Sequence, residues 1–543
     1  MTIAEFIAQE MRGHGIEHAF GIPGGEVATI LDALHREGIQ FVLTSHEAGA
    51  AFMADAYYRR TGKMALVLAT LGPGATNAVS GAAQAYLDRS PILFITGTVS
   101  HDLKNVYPHQ ILNHVQMFGP VTKWSQEISS DNVATVISQT FKHMTGNVPG
   151  PVHLDLPVDV ALQEFGDPKV APPEGIASEG ERDAVALGHI VSQLQGSQRP
   201  VFIVGLEAAD DSTAEMLYAV VDRQKIPVLT TYKAKGVLPE SHPLSLGALG
   251  LSPRFDQIAG DYLRSSDLVL ALGVDPVELR SDWLAVWADL RPIGIGPSAT
   301  KFSGFPSRIA WSGPPSEFLA TVGNLPLPRR YPEQSAALKA LRAQHEARWE
   351  AAEAFSGAIP SGILAPHQVL LVIDQECADA VITIDTGAMR IAANHIIRAH
   401  KPNQILQSNG LGTMGYAVPA AIGAQIAGPS DRVVALTGDA GLSMLIGEFS
   451  TAAAFRLPLV VVVFVDQSLA LIDLKQSRMR YQHVGVDVFA PNFAGIAEQF
   501  GGHGFIPTSV EQFRQQLRIA LKTRDGLTVI HVPIDPRAYD ALM

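Results

Sequence analysis

Short apolar runs bounded by turn residues alternate with amphipathic stretches along the whole chain. The opening Thr2-Ile3-Ala4-Glu5 has the capping-box pattern, and Ile3, Phe6, Ile7 and Met11 then share one helical face. Runs near Phe41–Ser45, Met64–Thr70 and Pro91–Gly97 read as strands buried on both faces, with helices between them. A second alternating block has runs near Val201–Gly205, Val228–Thr231, Leu268–Gly273 and Ile293–Gly296. A third has runs near Ala380–Asp385, Gln404–Gln407, Val433–Thr437, Leu459–Asp466 and Thr528–Val532. Strand and helix alternating in this way predict an α/β fold of three doubly wound parallel-sheet domains in series.

Two stretches separate the blocks. Gly166–Glu181 is rich in Pro, Gly and charge, and Asn324–Gln334 carries Pro326, Pro328 and Pro332, with Pro315 just upstream. The expected domains are therefore residues 1–165, 183–325 and 355–543. A length of 543 residues agrees with three domains at about 150 residues each. With 47% hydrophobic and 17% charged residues, each can bury a full core. A formal charge of −13 argues against a nucleic-acid backbone as partner. The single cysteine, Cys377, excludes a disulfide framework and a cysteine-based zinc site. The N-terminus lacks the order of a signal peptide, and the longest apolar run, Leu459–Val465, is too short to span a bilayer. A cytoplasmic protein with no membrane partner is expected.

Candidate chemistry concentrates at residues 438–468. Asp439 and Asp466 stand 27 positions apart, each closing an apolar run, with the helically spaced Leu442–Phe455 between. In a strand–helix–strand unit both carboxylates would reach the carboxyl ends of the strands, where open α/β sheets bind ligands. The turn at Asp439–Gly441 opens a helix whose free N–H groups favour a phosphate, and oxygen ligands beside a phosphate suit Mg²⁺. The plainer alternative is two aspartates that cap turns. In the first block Glu47 enters a small-residue helix, and two glycine turns, Phe20–Gly25 and Leu71–Asn77, flank it. Helix-dipole stabilisation alone would also explain a Glu there.

Taken in order, His46-Glu47, Gly72-Pro73-Gly74-Ala75-Thr76-Asn77, Gly410-Leu411-Gly412-Thr413-Met414-Gly415 and Gly438-Asp439 resemble the thiamine-diphosphate enzymes, the acetolactate synthase catalytic subunits most of all. The resemblance implies pyrimidine-binding, central and diphosphate-binding domains. In that family a Glu hydrogen-bonds the pyrimidine nitrogen and favours the imino tautomer that removes the C2 proton; Glu47 matches it. Met414 matches the apolar residue that keeps the cofactor bent, a proximity effect. The Gly412 carbonyl would accept from the aminopyrimidine. Asp439, Asp466 and the Ser468 carbonyl would hold Mg²⁺. Gly387, Ala388 and Met389 match a second diphosphate-contacting turn, beside Gly438, Ala440 and Gly441. Gly24, Pro73 and Asn77 complete the expected cofactor contacts. The family builds its site between subunits, so a homodimer or homotetramer is implied.

Departures from the family are specific. Ala440 replaces a usual Gly and is expected to constrain the turn, and Asp466 replaces a usual Asn. In the central block the synthases bind a non-redox FAD, but here an Asp, Asp275, stands where an Arg is usual, and Gly296-Pro297 ends the last strand with no acid. A carboxylate would repel an FAD diphosphate, so FAD is not expected. Gln110 matches a Gln near the reacting centre, while His109 stands for a Phe, Lys475 for a Trp and Leu471 for a Met. His46, His109, Gln110 and Lys475 are thus candidates to face the cofactor's C2. A His is a plausible proton donor, and Lys475 could pair with a substrate anion; a solvated helix residue is the plainer reading of that Lys.

The implied activity is a carboligase acting on a 2-oxo acid such as pyruvate, decarboxylation followed by C–C bond formation. The alternative is a non-oxidative decarboxylase or C–C lyase that releases an aldehyde. The extra charge of Asp466 is expected to make cofactor binding depend more steeply on magnesium. In a magnesium titration Asp466→Asn should flatten that dependence; unchanged thiamine-diphosphate affinity would refute it.

Overall fold

A computed structural model describes residues 1–104, 106–166, 184–299, 303–328, 330, 336–344 and 359–542. Three sheets of six strands each follow one another along the chain. The first holds β1 (His18–Ile22), β2 (Gln40–Leu43), β3 (Ala65–Ala69), β4 (Ile92–Thr98), β5 (Trp124–Glu127) and β6 (Val152–Pro157). The second holds β7 (Pro200–Val204), β8 (Val228–Thr231), β9 (Ser245–Leu249), β10 (Leu268–Leu272), β11 (Ile293–Ile295) and β12 (Ala310–Trp311). The third holds β13 (Val381–Ile384), β14 (Ile405–Gln407), β15 (Val433–Gly438), β16 (Leu459–Val465), β17 (His503–Phe505) and β18 (Thr528–Pro533). Every strand pair is parallel.

The first and third sheets share one strand order, β2-β1-β3-β4-β6-β5 and β14-β13-β15-β16-β18-β17. The middle sheet runs β12-β11-β10-β7-β8-β9, the dinucleotide-fold order. The order reverses between β1 and β3, β7 and β10, or β13 and β15, and in the first and third sheets it reverses again at the far edge, where β5 and β17 lie outside β6 and β18. Those switch points are where crevices open at the carboxyl edge.

The continuous apolar runs arise because helices cover both faces. Along β16, Val461, Val463 and Val465 enter one core cluster while Val460, Val462 and Phe464 enter another. Alternate residues point to opposite faces, so both sets must be apolar. The runs read from sequence locate the central strands to within a residue or two. Strands β1, β5, β6, β9, β12 and β17 were not foreseen. In β1, Gly21 interrupts the run because the Leu68 carbonyl would lie 1.9 Å from any Cβ there. β5 and β17 are polar edge strands, half-buried at best. β6 carries His153 and Asp155, whose polar atoms are satisfied in the core by Thr96 at 2.8 and 2.7 Å.

Two smaller expectations are corrected. The stretch between Asp439 and Asp466 is two helices, Asp439–Met444 and Glu448–Ala454, because the chain leaves helical dihedrals at Leu445, with φ −131° and ψ 31°. Pro315 belongs to no linker; it starts the helix Pro315–Gly323, where its missing N–H costs nothing. Most of the first expected linker, residues 167–181, lies outside the described residues.

One contact joins the first unit to the third. Helix Glu47–Thr61 packs on helix Ala417–Ala427 so closely that a Cβ on Gly423 would meet the Met53 carbonyl at 2.1 Å. Tyr416 donates to Asp55 at 2.6 Å in the same interface. A single apolar cluster runs through both units.

Candidate active site

At the carboxyl edge of the third sheet, its switch point opens into a cavity of 170 Å³. β15 and β16 are neighbours, with Gly438 paired to Phe464, so the residues that follow them meet. Asp439 is the first residue of its helix and is buried; its carboxylate accepts the Ala440 N–H at 2.8 Å and the Gln467 N–H at 2.7 Å. Asp466 accepts the Ser468 N–H at 3.0 Å, around a turn in which Gln467 has φ 55°. Burial, and then the charge of Asp439, push the Asp466 carboxyl up to about 7. Burial also raises Asp439.

The cavity gathers most of the third-block candidates. Gly387, Ala388 and Met389 line it from the turn after β13, Met414 from the loop after β14, and Gly438, Ala440 and Gly441 from the turn after β15. Ser468 and Leu471 close it from the segment after β16. Gly412 sits in the left-handed region at φ 63° on the Met414 loop, outside the cavity wall. Ala440 is the second residue of a regular helix, so no glycine is required there, contrary to the constraint expected from sequence. Lys475 lies one turn beyond Leu471 on helix Ala470–Arg478, exposed and away from the cavity lining.

First-block candidates form a second cluster at the switch point of their own sheet. Glu47 is 5% exposed and accepts from the Asn77 side chain at 3.0 Å. A Cβ on Gly74 would come within 3.3 Å of the Glu47 carboxylate, and one on Gly24 would strike Thr70 at 2.3 Å. Pro73 begins the helix that carries Asn77. His46 caps the Glu47 helix, its Nδ1 accepting the Ala48 N–H at 3.1 Å, which leaves the ring proton on Nε2. Gln110 has φ 59° and packs on Gly72, where a Cβ would stand 2.9 Å from the Gln110 Cβ. His109 is exposed, with its ring 5.8 Å from that of Tyr107. None of these residues lines the third-sheet cavity.

Sequence reasoning missed several members. Asp385, buried at the end of β13, accepts the Gly415 N–H at 2.8 Å and the Thr437 hydroxyl at 2.9 Å, and burial pushes its carboxyl up to about 6. It ties together the three turns that frame the cavity, and its position closing an apolar run was the available signal. Glu448 is fully buried and accepts the backbone N–H groups of Ser45 and His46 at 3.1–3.2 Å, fixing the entry to the Glu47 helix from the third unit. Tyr539 lines the cavity from the far C-terminus, with no local pattern to announce it.

The description "Thiamine pyrophosphate enzyme, N-terminal TPP binding domain" matches residues 1–117. The corresponding central domain matches 187–319, and the C-terminal TPP binding domain matches 385–532. The acetolactate synthase large subunit of Porphyra purpurea is 31% identical over 94% of this chain and 88% of its own length. The chain belongs to the thiamine-diphosphate enzyme family. Acetolactate synthase isozyme 2 large subunit of Escherichia coli (strain K12) is 31% identical over 98% of this chain and 96% of its own. The catabolic acetolactate synthase of Raoultella terrigena is 29% identical, covering 99% and 96%.

For this family's cofactor the donor set of the third-sheet cavity fits. The buried Asp439 and half-buried Asp466 carboxylates disfavour each other's charge, a conflict that a cation removes. Among the described residues no cluster of three or more His, Cys, Asp or Glu side chains could hold a metal. Two carboxylates completed by phosphate oxygens is how Mg²⁺ is bound in such sites. Backbone N–H groups at helix N-termini after Gly387 and Gly438 face the same space. Among the described residues no helix is long and apolar enough to cross a membrane.

The switch point of the central sheet has different contents. A Cβ on Gly205 would lie 2.5 Å from Val274 Cα and 2.8 Å from a Glu278 carboxylate oxygen. Glu278, fully buried, accepts the Leu206 N–H at 2.9 Å, the Thr231 hydroxyl and the Asp275 N–H. Asp275 pairs with Arg89 of the first unit at 2.6 Å, and Glu207 accepts the Ser298 N–H at 3.2 Å. Burial pushes the Glu278 carboxyl up to about 8, against an ordinary 4.5. Because the folded protein holds that proton more tightly than the unfolded chain, the stabilisation is complete below about pH 4.5 and is lost as pH rises through about 8. Glu278→Gln should therefore flatten the fall in urea-unfolding stability between those pH values. A wild-type slope retained by the variant would contradict this.

Proposed function

We propose that this chain is a thiamine-diphosphate-dependent carboligase that takes a 2-oxo acid such as pyruvate, removes CO₂ and forms a C–C bond to a second carbonyl compound. The observation that carries the reading is the cavity in which Asp439 and Asp466 meet Met414, in a chain similar over nearly its whole length to acetolactate synthase large subunits. Thiamine diphosphate, when bound, supplies the nucleophilic carbon and the electron sink that decarboxylation needs.

Asp439, Asp466 and the Ser468 carbonyl hold Mg²⁺ in this reading. The turns at Gly387–Met389 and Gly438–Gly441 receive the diphosphate. Met414 and the Gly412 carbonyl orient the two rings. Glu47, kept in place by Asn77 and by its position at the helix start, holds a proton at the pyrimidine nitrogen. Gly24 and Pro73 shape the turns through which the pyrimidine is reached.

Glu47 and the cavity belong to different sheets, and Glu47 does not line the cavity. A second copy of the chain completes the site, so the active form is a homodimer or a homotetramer. Exposed apolar residues flank both halves: Val106 is 76% exposed beside His109, and Phe489 is 87% exposed beyond the helix that carries Leu471. Their burial between copies would bring Gln110, His109 and Lys475 toward the substrate. FAD does not fit, because Glu278 already occupies the N–H group at Leu206 and Asp275 lies beside it.

Non-oxidative decarboxylase or C–C lyase is the second reading. It is favoured by the exposed His109 and by His46, whose proton-bearing Nε2 is free to donate to a released product. Purified protein with thiamine diphosphate and Mg²⁺, given a set of 2-oxo acids and assayed for CO₂, aldehyde and acyloin, separates the two. Acyloin without free aldehyde is expected; aldehyde alone supports the second reading. Glu47→Gln should lower turnover by about 10²–10⁴-fold, and an unaffected rate would refute both.

A further inference from the structure

Outside the cavity, a set of buried charges lies where all three units meet, at the end of helix Pro73–Leu87. Asp88 and Arg89 follow that helix, and Arg89 adopts φ 59°. They point opposite charges into the central unit. Lys233 reaches Asp88 at 2.6 Å, and Asp275 reaches Arg89 at 2.6 Å. Asp88, Lys233 and Asp275 are all buried. The same Asp88 carboxylate accepts the Gly410 N–H at 2.7 Å and the Asn409 N–H at 3.1 Å. Gln84 adds a bond to Asp88 at 3.1 Å and accepts from Ser408 at 2.9 Å. Gly410 has no room for a side chain, since a Cβ would stand 2.5 Å from Leu87 and 2.9 Å from Val277. The loop that ends in Gly412 and Met414 is therefore anchored at its root by the first unit and the central unit together.

We infer that Lys233 is a positioning residue for the cofactor: it fixes Asp88, and Asp88 fixes the Asn409–Gly410 root of the loop that carries Gly412 and Met414. The inference rests on the proposed cofactor site and deepens it by giving the central unit a part in that site. Four donors converge on one carboxylate; Lys233 is the cation paired with it, whereas Arg59 bonds the Asp88 backbone carbonyl, so loss of Lys233 would drive the buried carboxylate to neutralise or move. Either change loosens the Gly410 anchor. Met414 stands four residues further on, so a small displacement at the root is carried to the side chain that orients the cofactor rings. Close orientation is what proximity catalysis depends on. A merely structural pair would lower stability without altering the bound cofactor.

The test is the rate at which the C2 proton of bound thiamine diphosphate exchanges for deuterium, followed by NMR after acid quench at saturating cofactor and Mg²⁺. Lys233→Met should slow exchange by about tenfold or more, lower kcat in parallel and leave KM for the 2-oxo acid unchanged. Lys233→Arg, which restores the cation, should recover most of the rate. Arg60→Met removes another pair between the first and third units, Arg60–Asp431 at 3.0 Å, away from the loop. It should lower the melting temperature without slowing exchange. If Lys233→Met does not fold, Asp88→Asn carries the same test, because it keeps an acceptor for Gly410 but loses the charge that Lys233 grips; slower exchange is expected. Exchange in folded Lys233→Met or Asp88→Asn within twofold of wild type would overturn the inference. A wild-type protein that does not accelerate C2 exchange at all would instead overturn the cofactor reading on which it rests.

Discussion

The close packing of helix Glu47–Thr61 on helix Ala417–Ala427 is the constraint on which the arrangement depends. Backbone meets backbone there, because Gly423 lies under the Met53 carbonyl. The first helix starts at Glu47, and the second starts just after Met414, Gly415 and Tyr416. Locking the two helices together sets two groups of candidate cofactor residues in fixed relation. Small side chains permit this approach, and they dominate both helices: Ala48, Gly49, Ala50, Ala51 and Ala54 in one, Ala417, Ala420, Ala421, Gly423 and Ala424 in the other. Buried polar bonds then select one register, Tyr416 to Asp55 and Glu448 to the Ser45 and His46 N–H groups. A polar group buried without its partner is costly, so a slipped register would leave these unpaired.

Much of this was legible in the sequence where chemistry and periodicity coincide. Leu459–Val465 announced a central strand because both of its faces are apolar, and the aspartate that follows it announced the site. Edge strands β5 and β17 stayed hidden because half of their surface faces water and their composition resembles loops. Residues that act across long sequence separations were equally hidden. Glu448 bonds residues some 400 positions away, and Tyr539 reaches the cavity from the chain end. Neither has a local pattern that differs from an ordinary helix. The Ala440 departure looked restrictive in sequence and is harmless in structure, since the position is helical.

In the central unit, buried side chains fill the switch point of the sheet. It keeps the dinucleotide strand order, and the reversal still falls between β7 and β10. Glu278 accepts the Leu206 N–H, and Asp275 turns toward Arg89. What the unit offers its neighbours is a pair of buried ionic contacts, reaching the stretch that leads to Met414.

In the proposed reading, one chain holds two half-sites that act only when joined across copies. Mixing two variants tests it directly: Glu47→Gln, which damages the first half-site, and Asp439→Ala, which damages the second. Each alone should be nearly inactive. After mixing under conditions that exchange subunits, mixed assemblies should regain a measurable fraction of wild-type turnover, because one of their sites pairs an intact Glu47 with an intact Asp439. No recovery, with mixed assemblies demonstrated by mass, would contradict the claim and require each chain to build its site alone.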